Sequence, residues 1–175
     1  MQSLPEVLEE WHNFFGLLGA AAGTLVGLLF VAATVSSGVF TFERRAPLRV
    51  FLTATVVHFS SILAVSLIMM LPLASWPALG GMVVIAGFVG LGYSGLAVRD
   101  SIQDGLITNI DWEDRTWYGV LPFLAYVAEC ISGITLACGA AAGCAALATC
   151  MALLLLVGIH NAWDITIWTI TRRQG

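Results

Sequence analysis

Residues 142–170 read AGCAALATCMALLLLVGIHNAWDITIWTI, a run in which Asp164 is the one charged residue. About 20 residues rising ~1.5 Å each cross the ~30 Å hydrocarbon core of a bilayer, so the run is long enough to span one as a helix. It is continuous rather than alternating, which selects a helix over a barrel strand. Its length exceeds what the hydrocarbon needs, so it is expected to tilt or protrude. Working outward, the same reading marks spans at 14–40, 50–72, 78–98 and 118–138. The whole composition agrees. The 175 residues are 59% hydrophobic and 10% charged, where ordinary globular domains carry about 25% charged residues. The expectation is an all-α integral membrane protein, a compact bundle of five transmembrane helices forming one domain over residues 1–175.

The charges orient the bundle. Arg44, Arg45 and Arg49 lie between spans one and two, Arg99 and Arg115 between spans three and four, and Arg172 and Arg173 after span five. The opposite loops, 73–77 and 139–141, carry no charge, and the N-terminal tail has Glu6, Glu9 and Glu10. The positive-inside rule then places the N-terminus outside and the C-terminus inside. Trp11 and Trp76 mark the expected outer interface, and Trp112, Trp117 and Trp168 the inner one. Ser3 and Glu6 have capping-box spacing and Pro5 suits a first turn, so a short N-terminal helix is predicted to start near Leu4 and run into span one. The N-terminus lacks a basic region before an apolar core, so no cleavable signal peptide is expected.

The inner loop 99–117 repeats Ile102, Leu106 and Ile110 at four-residue spacing, which predicts a short amphipathic segment on the membrane surface. Asp111 suits a helix cap there, and Asp111, Glu113 and Asp114 alternatively make a cation-attracting vestibule. No basic arm suggests nucleic acid, and the absence of lysine excludes Schiff-base chemistry. A bacterial inner membrane is the expected location.

Span one contains Gly19, Gly23 and Gly27 at four-residue spacing, with Gly16 one turn earlier; Gly90 lies between Ala86 and Ser94 at the same spacing in span three. Small residues on one helix face let backbones approach closely, and inside lipid that contact replaces the hydrophobic effect. The close packing is either within one chain or between copies in a homo-oligomer.

Four ionisable residues fall inside the spans: His58, Glu129, His160 and Asp164. A carboxylate near mid-membrane costs ~3 kcal/mol on insertion scales, so such residues face protein or water. By helical rise the four fall within a band of roughly 15 Å in the inner half. Thr55, His58, Ser61 and Ser66 make one polar arc; Tyr118, Pro122, Tyr126, Glu129 and Gly133 make a second; Thr149, Leu153, His160, Asp164 and Thr171 make a third. Together they suggest one polar interior and a pathway for protons or small ions. The bland alternative is structural glue: a protonated Glu129 donating to a carbonyl, and Asp164 pairing with Arg49 or Arg45. A minor alternative is haem or transition-metal ligation, with His58 and His160 as axial ligands or joined by Glu129 and Asp164. Glu9-x-x-His12 has di-metal spacing in a single copy and is read as an interfacial cap.

Gly92-Tyr93-Ser94-Gly95 resembles the Gly-x-Ser-Gly motif of rhomboid intramembrane proteases, which pair a serine with a histidine from another helix. The resemblance covers four residues and implies a Ser94–His160 pair. In rhomboids the serine opens a helix near the outer face, whereas Ser94 closes one near Arg99. The chain is therefore expected not to be an enzyme. Cys138 and Cys144 flank the last outer loop, and Cys130 and Cys150 lie mid-span; all four are read as packing residues, with a Cys138–Cys144 disulfide as the alternative. The leading functional expectation is a homo-oligomeric, channel-like or transporter-like conduit. The second is a non-catalytic subunit of a larger membrane complex.

Overall fold

The computed structural model describes residues 3–36, 45–73, 75–103 and 112–171. They form α1 (Leu4–Ser36), α2 (Arg45–Met69), α3 (Trp76–Gln103), α4 (Trp112–Arg115), a π-helical turn (Thr116–Val120), α5 (Leu121–Ala137) and α6 (Ala142–Thr171). No strand occurs among the described residues. Four helical stretches are long and apolar enough to cross a membrane: Leu4–Thr34, Trp76–Leu96, Thr116–Ala137 and Ala142–Asp164. The described part of the remaining long helix, Thr53–Met69, is a shorter apolar helix.

Local chemistry sets the helix ends. The Ser3 N–H donates to a Glu6 carboxylate oxygen at 2.9 Å, one half of the expected capping box, and α1 runs unbroken from Leu4. After α5, Gly139 takes φ +80°; its N–H donates to the Leu136 carbonyl and the Ala140 N–H to the Thr135 carbonyl. This paired motif satisfies the last carbonyls and needs a glycine at the left-handed position.

The boundaries differ from the expected spans at the inner end. Helix α3 continues through Arg99 to Gln103, where a loop was predicted, because no glycine or proline interrupts residues 96–103. Helix α2 starts at Arg45, with Pro47 in its first turn, where a missing N–H costs no hydrogen bond. Ile102 belongs to α3, while Leu106, Ile110 and the Asp111 cap lie outside the described residues, as do Arg44, Arg172 and Arg173.

Helix pairs run antiparallel. On α1 and α2, Gly16 meets Met70, Gly19 meets Ser66 and Gly23 meets Leu63. On α3 and α5, Gly80 meets Ala137 and Gly133, Gly87 meets Cys130 and Gly90 meets Tyr126. On α5 and α6, Gly143 meets Leu136, while Tyr118 in the π-turn meets Asn161. Glu10 on α1 lies within electrostatic range of Cys144 at the start of α6. Arg45, Arg49, Arg99 and Arg115 therefore belong to one end of the bundle, and Glu10, Met69, Trp76 and Gly139 to the other.

The closest crossing is α3 on α5. A Cβ on Gly133 would come 2.9 Å from the Gly80 carbonyl oxygen and from the Val84 nitrogen, so the two backbones touch. Gly80 supplies the reciprocal space and was not singled out from the sequence.

Candidate functional site

The core divides along its length. Near the arginine-poor end it is mostly apolar: Phe15, Ile62, Val65, Leu79, Leu136 and Leu147 are all buried, with Ser66 and Ser132 as buried polar exceptions. Toward the arginine end, buried polar side chains replace them: His58, Ser94, Tyr126, Glu129 and Asn161.

At the centre, His58 Nδ1 on α2 lies 2.9 Å from the Tyr126 hydroxyl on α5. The tyrosine ring packs on the backbone of α3 at Gly90, where any Cβ would overlap it. Ser61 lies within reach of the same hydroxyl. The second imidazole nitrogen, His58 Nε2, is buried and has no hydrogen-bond partner among the described residues. Either tautomer satisfies the tyrosine contact, because the hydroxyl can donate or accept.

Glu129 lies one turn beyond Tyr126 and is 0% exposed. Neither carboxyl oxygen has a partner among the described residues. Tyr126, Cys130 and Cys150 are within its electrostatic reach. Asn161 on α6 is also 0% exposed, and both polar atoms of its side chain are unpartnered among the described residues. Buried polar groups are nearly always hydrogen-bonded, so these orphans mark the part of the core whose polar atoms the described residues leave unsatisfied. Along the helix axis, Tyr118 and Glu129 are roughly 16 Å apart.

The four expected pathway residues do not form one cluster. His58 and Glu129 are both in the core, His58 bonded to Tyr126 and Glu129 one helical turn further along α5. His160 and Asp164 sit one helical face away, with side chains 30% and 41% exposed. His160 Nε2 lies 3.3 Å from Asp164, and its ring stacks on Trp117 with centroids 3.9 Å apart. The reason is the register of α6. Its buried face runs through Leu147, Met151, Leu154, Gly158 and Asn161, which leaves the predicted Thr149–Leu153–His160 stripe to the side. Asn161 was missed because an amide is not ionisable. Its spacing behind Leu154 and Gly158 was the signal that places it inward.

The π-turn was missed as well. Pro122 has no N–H to give the Tyr118 carbonyl, and its ring crowds that carbonyl. The helix widens instead, and the Leu121 N–H donates to the Thr116 carbonyl five residues back. As a result Trp117 and Tyr118, adjacent in sequence, both reach α6: one stacks on His160 and the other donates to the Asn161 carbonyl at 3.2 Å. Trp117 is thus a packing partner rather than a simple interface marker.

Among the described residues, no three His, Cys, Asp or Glu side chains gather into a metal-holding group. The proposed joint ligand set of His58, Glu129, His160 and Asp164 is split between the two places. Ser94 is buried and its hydroxyl has no partner among the described residues, while His160 is engaged by Trp117 and Asp164. The serine–histidine pair implied by the rhomboid resemblance is not formed. Gly16, Gly19 and Gly23 face α2 of the same chain and Gly90 faces Tyr126; Gly27 alone of these meets nothing. The four cysteines are free thiols. Compared with family models, curated proteins and solved structures, the chain matches none.

Proposed function

We propose that the chain is a five-helix membrane protein that takes up protons or small ions through a polar file inside each protomer. Helix α2 serves as the fifth span. The N-terminus is outside and the arginine end inside, because arginine-rich loops are retained on the inner side. The observation that carries the reading is the His58–Tyr126 bond with the buried, unpartnered Glu129 carboxyl one turn away. Imidazole, phenol and carboxyl all exchange protons, and imidazole does so at two nitrogens in turn. A proton needs only such a file, whereas a metal ion needs several ligands around it.

The apolar outer half favours a transporter-like device over an open pore. Phe15, Ile62, Val65, Leu79, Leu136 and Leu147 make up most of the buried core beyond Glu129, with Ser132 and Ser66 the buried polar side chains among them. Passage to the outer side then requires these helices to move, and the tight glycine crossings provide surfaces on which they can slide or rock. The test is proton uptake by proteoliposomes with a pH-sensitive dye inside. Wild type should acidify the lumen under a proton gradient, and Glu129→Gln should not. Equal rates in the two sink the reading.

A second reading, a non-catalytic subunit or modulator of a larger membrane complex, draws on Gly27, Gly92 and Gly95, whose Cβ positions all meet open space. Native mass spectrometry of lipid-extracted protein separates the two: a reproducible heterologous partner favours the second reading.

A further inference from the structure

The unit formed by Trp117, His160 and Asp164 is built with more care than an incidental surface contact. It depends on the π-turn, a rare conformation concentrated at functional sites. Proline at 122 forces that turn, and the turn brings Trp117 flat against His160 with an interplanar angle of 24°. Asp164 approaches the same imidazole from the next turn of α6. The ring is therefore held between an indole face and a carboxylate. The indole offers its π face to the ring, and the carboxylate can accept from its Nε2–H. The next residue, Asn161, is the fully buried inner end of the polar file.

We propose that Trp117, His160 and Asp164 form the proton-collecting site at the inner mouth of the file. The proposal rests on the reading of the file as a proton path. The half-exposed Asp164 and His160 take a proton from the inner aqueous side. His160 holds it as an imidazolium against Trp117, then passes it inward past Asn161 toward His58, Tyr126 and Glu129. No bond other than N–H and O–H changes, so the step balances as proton transfer alone.

Among the described side chains, the titratable groups around the unit are few. Asp164 lies on α6 itself, Tyr118 in the π-turn, and Arg115 just ahead of that turn with an exposed side chain. Among the described side chains of α2, His58 is the one titratable group, and it faces Tyr126. On α5 the titratable groups are Tyr126, Glu129 and Cys130, all deeper in the bundle.

Two measurements on reconstituted full-length protein test this. The first is the tryptophan emission attributable to Trp117, taken as wild type minus Trp117→Phe. An imidazolium stacked on indole quenches it, so this component should be lost on acidification. His160→Gln should abolish the pH dependence while leaving the other tryptophans unchanged. The second is lumenal acidification, which should fall by roughly tenfold or more in both His160→Gln and Asp164→Asn. A pH-independent Trp117 component in wild type overturns the proposal, as does wild-type uptake in both variants. If uptake is normal in these variants but absent in Glu129→Gln, the collecting site falls and the polar file stands. If Glu129→Gln also takes up protons normally, the file falls with it.

Discussion

The imidazole of His58 and the hydroxyl of Tyr126 meet at 2.9 Å because the facing position on α3 is Gly90, which lets the tyrosine ring lie on bare backbone. Three helices thus fix one hydrogen bond: α2 supplies the imidazole, α5 the phenol and α3 the space. Tyr126→Phe keeps the ring and removes the hydroxyl. It should leave His58 without a partner at either nitrogen among the described residues and lower stability by about 1–2 kcal/mol. Thermal unfolding in detergent reads the cost, and the proteoliposome assay should show slowed proton uptake. An unchanged midpoint together with unchanged uptake argues that the bond is idle.

The glycines separate by what they face. Gly90→Ala pushes a methyl into the Tyr126 ring, and the overpacking should cost about 1–3 kcal/mol. Gly27→Ala meets open space and should be neutral or stabilise by up to about 1 kcal/mol, since alanine is the better helix former. Unfolding midpoints of the two variants should move in different directions. A large loss in Gly27→Ala instead points to a neighbouring chain packed on that face.

Pro122→Ala restores an N–H opposite the Tyr118 carbonyl and removes the crowding ring. The widened turn at Thr116–Val120 should relax toward an ordinary α-helix, rotating the residues before it by up to about 100°. Trp117 should then leave His160. The pH-dependent part of its emission should vanish with little change in unfolding temperature. Retention of that signal means something other than Pro122 imposes the turn.

The thiols report sidedness. Cys138 is exposed at the arginine-poor end, while Cys130, Cys144 and Cys150 are 8%, 0% and 4% exposed. A membrane-impermeant maleimide added outside intact cells should label Cys138 alone, and denaturant should expose the other three. Labelling of Cys138 only after the membrane is opened reverses the proposed orientation.

Glu129→Gln is the near-isosteric change at the end of the file. It replaces a carboxyl that exchanges protons with an amide that does not, in a site where neither oxygen has a described partner. The fold should survive, with an unfolding midpoint close to wild type, while proton uptake is lost. Glu129→Lys, which places an ammonium in the same apolar surround, should prevent folding altogether.

Much of the architecture was legible in the chain. Apolar run length and continuity specify helices, and their positions follow to within a few residues for α1 and α6. The Ser3–Glu6 pair announced one helix end, because cap chemistry is local. Most of two polar arcs is buried, Thr55, His58 and Ser66 on α2 and Pro122, Tyr126, Glu129 and Gly133 on α5, while Ser61 and Tyr118 are half-buried. The third is not. In a helix that is apolar nearly all round, periodicity cannot say which side is buried, so the placement of His160 and Asp164 was open until neighbours were known.

By itself, then, the sequence determined the helical class and the arginine asymmetry, since these depend on composition and on the order of residues along the chain. Which groups touch was decided only by tertiary packing. Gly90 beneath Tyr126, Gly80 against Gly133, and the π-turn that turns both Trp117 and Tyr118 onto α6 all depend on how closely two backbones approach. That distance is set jointly by small residues on different helices, and no single stretch of chain carries it.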